Sequence, residues 1–174
     1  LAQQDLVDAG FLGKKSGRGF YSYQAGADKP LPATAPAFGV PHDIVVYGQT
    51  KAALALVARL RAQNVGFTQA QALGDTVANA GGASLRVTDG RTATRCAFDT
   101  QTPNTVLMDL ALDYQTATRL AVSVAAQCDS AAAEHAMGLL QAAGFAVSPL
   151  QDVPGLIVMR TVAMLANEAA DAVN

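Results

Sequence analysis

Between residues 43 and 150, short β-branched apolar runs alternate with helical stretches. That alternation constrains the fold more than any other feature of the chain. Strands that alternate with helices bury themselves between them, which gives an α/β domain with a mainly parallel sheet. The first run, Ile44-Val45-Val46-Tyr47, suits a buried parallel strand. Gly48-Gln49 turn the chain, and Thr50–Gln63 then places Ala53, Leu56, Val57 and Leu60 on one helical face. Val65–Phe67, Ser84–Val87, Thr105–Leu110, Leu120–Ala125 and Phe145–Ser148 read as further strands. Arg91–Phe98 fits helix or strand equally well. Asp129 or Ser130 caps a helix that runs to Ala143 and stops at Gly144.

The flanks differ in kind. Residues 1–23 carry a helix end and then a glycine-rich loop, Gly10 to Tyr23, with Phe20, Tyr21 and Tyr23 as anchors. Residues 24–42 hold Pro30, Pro32, Pro36 and Pro41, which prevent helix and favour an extended linker. Residues 151–174 read as a helix, Gly155–Val173, with Pro154 at its start. It would be roughly 28 Å long. Arg160, Thr161, Asn167, Glu168 and Asp171 cluster on one side of the wheel, with Ile157 and Met164 intruding among them. Leu156, Val158, Met159, Val162, Leu165 and Val173 help to fill an apolar arc of about 200°, twice what a one-sided surface helix needs. The expectation is that this helix packs against a second copy or against further polypeptide. The start at Leu1 and the stop at Asn174, inside a helical pattern, read as an internal piece of a longer chain.

Composition narrows the function classes. With 51% hydrophobic and 15% charged residues, the chain does not match a disordered composition. Twelve Lys and Arg are scattered and balanced by 14 Asp and Glu, unlike a nucleic-acid binder. No apolar run reaches the ~18 residues of a membrane span. Cys96 and Cys128 lack metal-like spacing and read as small apolar groups in a reducing cytoplasm.

The chemical motifs are weak. A dinucleotide fingerprint after the first strand would need glycines at 48, 50 and 53, and the chain has Gly48, Thr50 and Ala53. Thr50 fills the space where a pyrophosphate meets the backbone, and no carboxylate lies in Asn64–Thr68, about 20 residues on. His42 reads as a solvated loop residue, and His135 as a surface pair with Glu134. Asp89-Gly90-Arg91 reads as a turn, and Asp109 and Asp113 as an exposed strand end where α/β sites often gather. Lys14, Lys15 and Arg18 sit among glycines that could hold a phosphate. None of these residues is assigned a catalytic, cofactor-binding or metal role. The rival readings are a nucleotide- or CoA-binding module, using Gly48 or the loop at 13–19, and a small enzyme at Asp89, Asp109 or Asp113.

Two segments together carry a resemblance. Gly10-Phe11-Leu12-Gly13-Lys14-Lys15-Ser16-Gly17-Arg18-Gly19-Phe20-Tyr21-Ser22-Tyr23 resembles the close of the helical C-terminal domain of 3-hydroxyacyl-CoA dehydrogenases. Asp152 to Arg160, with Asn167-Glu168-Ala169, is similar to the opening of that domain. The end of one copy thus precedes the start of another, as in the long bacterial form of the enzyme. The resemblance implies the tail of a first helical domain (1–23), a linker (24–42), a reduced Rossmann-like domain (43–150) and the first helix of a second helical domain (151–174). It also implies a cytoplasmic parent enzyme that oxidises 3-hydroxyacyl-CoA with NAD, in fatty-acid or aromatic-acid breakdown. The family's His–Glu pair and glycine fingerprint would lie outside this sequence. A family Asn that orients substrate corresponds to Met159, whose thioether cannot donate a hydrogen bond. The expectation is a non-catalytic, oligomerising region.

Overall fold

A computed structural model describes residues 2–28 and 31–172. Leu1 and Pro30, and Val173 and Asn174 at the end of the expected helix, lie outside the described residues. The chain divides into two units, 1–33 and 34–174.

The first unit begins with α1 (Ala2–Asp8). Gly10, at φ 74°, ends it, and the Phe11 amide returns to the Leu6 carbonyl at 2.8 Å. The glycine-rich loop then bonds to itself. Gly13 donates to the Arg18 carbonyl at 2.8 Å, Gly19 to Tyr21 at 2.9 Å and Tyr23 to Gly17 at 2.8 Å. Ser16 Oγ accepts from the Leu12 amide at 2.7 Å. Phe20, Tyr21 and Tyr23 are exposed within this unit.

The second unit is built on one seven-stranded sheet. Its strands are β1 (Val45–Tyr47), β2 (Thr68–Ala70), β3 (Thr76–Ala80), β4 (Ala83–Val87), β5 (Thr105–Met108), β6 (Arg119–Val124) and β7 (Ala146–Leu150), in the spatial order β2-β1-β3-β4-β5-β6-β7. Its helices are α2 (Lys51–Ala62), α3 (Ala93–Thr100), α4 (Ser130–Ala142) and α5 (Val158–Asp171). The α/β, reduced Rossmann-like expectation holds. The sheet is more mixed than strand–helix alternation suggests: β1/β2, β4/β5 and β6/β7 are parallel, while β1/β3, β3/β4 and β5/β6 are antiparallel. One cause is β3, which sequence reading missed. Its small residues make no apolar run, and Gly81-Gly82 turn it straight back into β4.

The two-residue period of the strands divides the core. Val106 and Met108 of β5 join a large cluster with Leu56, Leu60, Leu139 and Leu140 of α2 and α4. Leu107 faces the other way, into a small cluster with Ala93, Cys96 and Ala97 of α3, Ala125 and Leu156. Arg59 of α2 ties this layer together. It stacks on Phe145 at 4.0 Å and donates to the carbonyls of Tyr114, Gln115, Ala117 and Ala143.

Three boundaries differ from the sequence reading. The strand expected at Val65–Phe67 lies at Thr68–Ala70, because Asn64, at φ 56°, closes α2 and sends the Val65 amide back to Leu60. The ambiguous Arg91–Phe98 is helical from Ala93. The last helix begins at Val158 rather than near Pro154. Gly155 and Leu156 adopt φ of 70° and 47°, which a right-handed helix excludes. That kink turns Leu156 into the small cluster, where it is 2% exposed. The linker is also less free than its prolines suggest. Ala35 donates to Val147 at 2.8 Å, and Gln141 bonds both the Phe38 amide and the Pro36 carbonyl. Gly138 permits this docking, since a Cβ there would collide with the Gly39 carbonyl.

Candidate functional site

The carboxylates singled out in the sequence lie at the ends of β4 and β5, where α/β folds place ligands. Their partners decide what they do. Asp109 is 3% exposed. It accepts from the Leu110 amide at 2.8 Å, from Ile157 at 3.1 Å and from Val158 at 3.2 Å. It therefore caps the first turn of α5 from a distant strand. Its own carbonyl receives the Tyr114 hydroxyl at 3.0 Å, and burial pushes that phenol's pKa up. Asp152 does the same for α3, accepting from Ala93 at 2.6 Å and Thr94 at 2.8 Å. Asp113 closes its own loop on the Gln115 amide and the Thr116 hydroxyl. Asp109 and Asp113 thus serve backbone and loop, and the exposed strand end expected at Asp109 is in fact buried beneath α5. Met159, in that helix, stands over Gly90, where a Cβ would come within 3.2 Å of its sulfur.

Asp89 belongs to a four-residue ionic chain. Arg91 binds Asp89 through Nε at 2.9 Å and Asp99 through Nη1 at 3.0 Å, and Arg95 reaches Asp99 at 2.8 Å. The Arg91 side chain holds the Asp89 carboxyl below the usual range, and Arg95 and then Arg91 do so for Asp99. Carboxylates with lowered folded pKa values stabilise above the unfolded value near about 4 and lose that contribution as pH falls through the folded value. The urea midpoint should therefore decline as pH falls below about 4. In an Asp89→Asn/Asp99→Asn variant the decline should be shallower; equal slopes would contradict the assignment.

The Gly48 turn does not fit a dinucleotide. Thr50 is the N-cap of α2, and its Oγ1 accepts from the Ala53 amide at 3.2 Å, taking a donor that a phosphate would need. Gly48, at φ 71°, is closed on its other side by Ala72, whose methyl would lie 3.2 Å from a Cβ at position 48. The other sequence candidates are dispersed. His42 is exposed. His135 is half-buried and pairs through Nδ1 with the Gly81 carbonyl at 3.0 Å, bracing the β3–β4 turn instead of forming the surface pair expected with Glu134. Lys14 and Lys15 are exposed, and Arg18 lies 4.4 Å over the Phe11 ring. The loop's amides at Gly13 and Gly19 are spent on its own carbonyls. Cys96 is a buried free thiol and Cys128 a half-buried one; burial raises both pKa values. Among the described residues no cluster of His, Cys, Asp or Glu could hold a metal ion. None of their helices is long and apolar enough to cross a membrane.

Sequence reading missed one feature. On the sheet face beside α3, a groove of about 840 Å³ is lined by Thr76 and Asn79 of β3, Ser84 and Arg86 of β4, and Thr100 and Thr102. Arg86 is 9% exposed, and its Nε has no hydrogen-bond partner. The available signal was a lone arginine inside the apolar run Ser84–Val87.

Residues 85–154 match the family model of the 3-hydroxybutyryl-CoA dehydrogenase reduced Rossmann-fold domain. The chain is 30% identical, over 99% of its length, to 3-hydroxyadipyl-CoA dehydrogenase of Escherichia coli K12 and covers 30% of that protein. It also superposes on the crystal structure of 3-hydroxybutyryl-CoA dehydrogenase from Escherichia coli K12, with a TM-score of 0.69 and 28% identity. That match covers 99% of this chain and 30% of the other. The chain thus spans about a third of the length of these relatives.

Proposed function

We propose that the chain belongs to the 3-hydroxyacyl-CoA dehydrogenase family, as part of its C-terminal region, and that it serves that enzyme in assembly, without chemistry of its own. In this reading residues 1–23 are the tail of a first helical domain, 24–42 a linker, 43–150 the reduced Rossmann-like domain and 151–174 the first helix of a second helical domain. The whole cytoplasmic enzyme oxidises a 3-hydroxyacyl-CoA to the 3-oxoacyl-CoA with NAD bound elsewhere in the longer polypeptide. The two free thiols, Cys96 and Cys128, suit a reducing compartment.

One observation carries the reading. The carboxylate at the expected ligand position, Asp109, is committed to the first turn of α5, and α5 has no buried residue. The domain spends its strand ends on presenting a helix. Thr50 and Met159 support the same view, the first by capping α2 and the second by lacking a donor. The partner surface is then a second copy through residues 155–173.

Light scattering coupled to size-exclusion should find a dimer or larger at micromolar concentration; a clean monomer would remove the oligomerising role. Calorimetry with NADH and acetoacetyl-CoA should show no saturable heat in the micromolar range. Binding there would favour the rival nucleotide- or CoA-binding module.

A further inference from the structure

We propose that the groove beside Arg86 is a binding site for the anionic end, carboxylate or phosphate, of a small polar molecule. Strand parity sets the direction of the arginine. Ser84 and Arg86 alternate with Ala83, Leu85 and Val87, which pack into or against the large core. Arg86 therefore projects from the opposite face, the one on which α3 packs against β5. The cross-strand neighbour of Arg86 is Thr76, whose hydroxyl lies 3.4 Å from that of Ser84. Asn79 stands further along β3, its amide nitrogen 3.3 Å from the Tyr47 hydroxyl and its Oδ1 without a partner.

A guanidinium nine-tenths removed from water normally has a carboxylate or several carbonyls around it. Arg59 and Arg91 in this chain illustrate both arrangements. Arg86 has neither among the described residues: no ion pair or side-chain hydrogen bond reaches it. Asp43 and Asp75 line the groove but are exposed, and neither bonds to Arg86. Among the described residues, two of the three buried side-chain polar atoms that lack partners, Arg86 Nε and Asn79 Oδ1, belong to residues lining this one groove. A planar fork of donors beside hydroxyls is the chemistry that takes an oxyanion, in bidentate fashion. The volume of about 840 Å³ leaves room for more than the charged group, and Asn79 Oδ1 offers an acceptor to a hydroxyl or amide attached to it. No residue of α5 lines the groove, so the site is independent of the assembly role.

The test follows the Arg86 Nε–H resonance in the isotopically labelled 174-residue chain while inorganic phosphate or succinate is added at constant ionic strength. A saturable millimolar shift with either anion, absent with chloride, is the expected result. A stronger response to phosphate assigns a phosphate ester, and a stronger response to succinate a carboxylic acid. Arg86→Lys, followed through the backbone amides of Leu85 and Val87 because the Nε–H is gone, should weaken binding about tenfold, since an ammonium loses the bidentate geometry. Thr102→Glu, which leaves Arg86 in place, should block it by supplying a competing carboxylate. No shift with either anion would overturn the site. So would a resonance that moves on dilution alone, which would assign Arg86 to a contact between copies. An Asp75→Asn variant that moves it without added anion would assign Arg86 to Asp75.

Discussion

Replacing Val162 and Leu165 together by glutamate is expected to leave a monomer of about 17.8 kDa, against the oligomer expected of the unaltered chain. The two side chains stand 60% and 62% exposed, and with Val158 they follow an i, i+4, i+7 stripe along α5. Each, once covered, contributes roughly 1.5–3 kcal/mol of apolar burial. Glutamates at both positions would instead carry desolvated charge into the contact, at several kcal/mol per unpaired ion. The combined change exceeds what a modest helix–helix interface supplies. Because neither residue is buried in the single chain, the thermal midpoint extrapolated to low concentration should stay within about 2 °C of the parent, the range of a surface change. Glu168→Lys, on the polar side of the same helix, serves as control and should leave the assembly intact. A double variant that remains a dimer would place the contact on another face. A variant that unfolds would show that the stripe packs within the chain after all.

How far the sequence carried this picture depends on which signals were local. The strand Ile44–Tyr47, the α4 start at Asp129 and its stop at Gly144 are written in adjacent residues, and the structure places them within a residue of where those residues point. The apolar excess of the last helix was visible on its wheel, and the absence of buried residues in α5 agrees with it. Long-range pairings were not legible. Nothing near Asp109 in the chain announces that its donors lie 48 residues away at Ile157 and 49 away at Val158. The left-handed turn at Leu156 was equally hidden, because a leucine rarely adopts φ 47° and does so here to bury its side chain beside Leu107. The hairpin at Gly81-Gly82 had its turn glycines in plain view, but β3 lacks the β-branched run that marks a strand. Nothing but its charge set Arg86 apart in the run Ser84–Val87; its burial, its unpartnered Nε and the groove beside it exist only in three dimensions.

Asp109→Ala should be the most destabilising single substitution outside the apolar core. The carboxylate is 3% exposed and accepts three backbone amides, those of Leu110, Ile157 and Val158. An ordinary N-cap loss costs about 1 kcal/mol. Here the lost oxygens also leave buried or half-buried donors unserved, each worth roughly 1–3 kcal/mol if water cannot reach it. The expected total is about 2–3 kcal/mol, or a midpoint lower by about 5–10 °C for a chain of this size. Asp109→Asn keeps the shape and one acceptor oxygen, so it should cost about half as much. The local signature separates a cap from a general packing role. Hydrogen exchange at the Ile157 and Val158 amides should accelerate far more than at the Leu60 or Leu139 amides, because the first turn of α5 opens while the sheet and its covering helices persist. Since the cap aims α5, the same variant should also weaken self-association, although no residue of the exposed stripe has been touched. Uniform acceleration across the domain, with the oligomer unchanged, would show that Asp109 supports the sheet alone and that α5 takes its direction from Leu156.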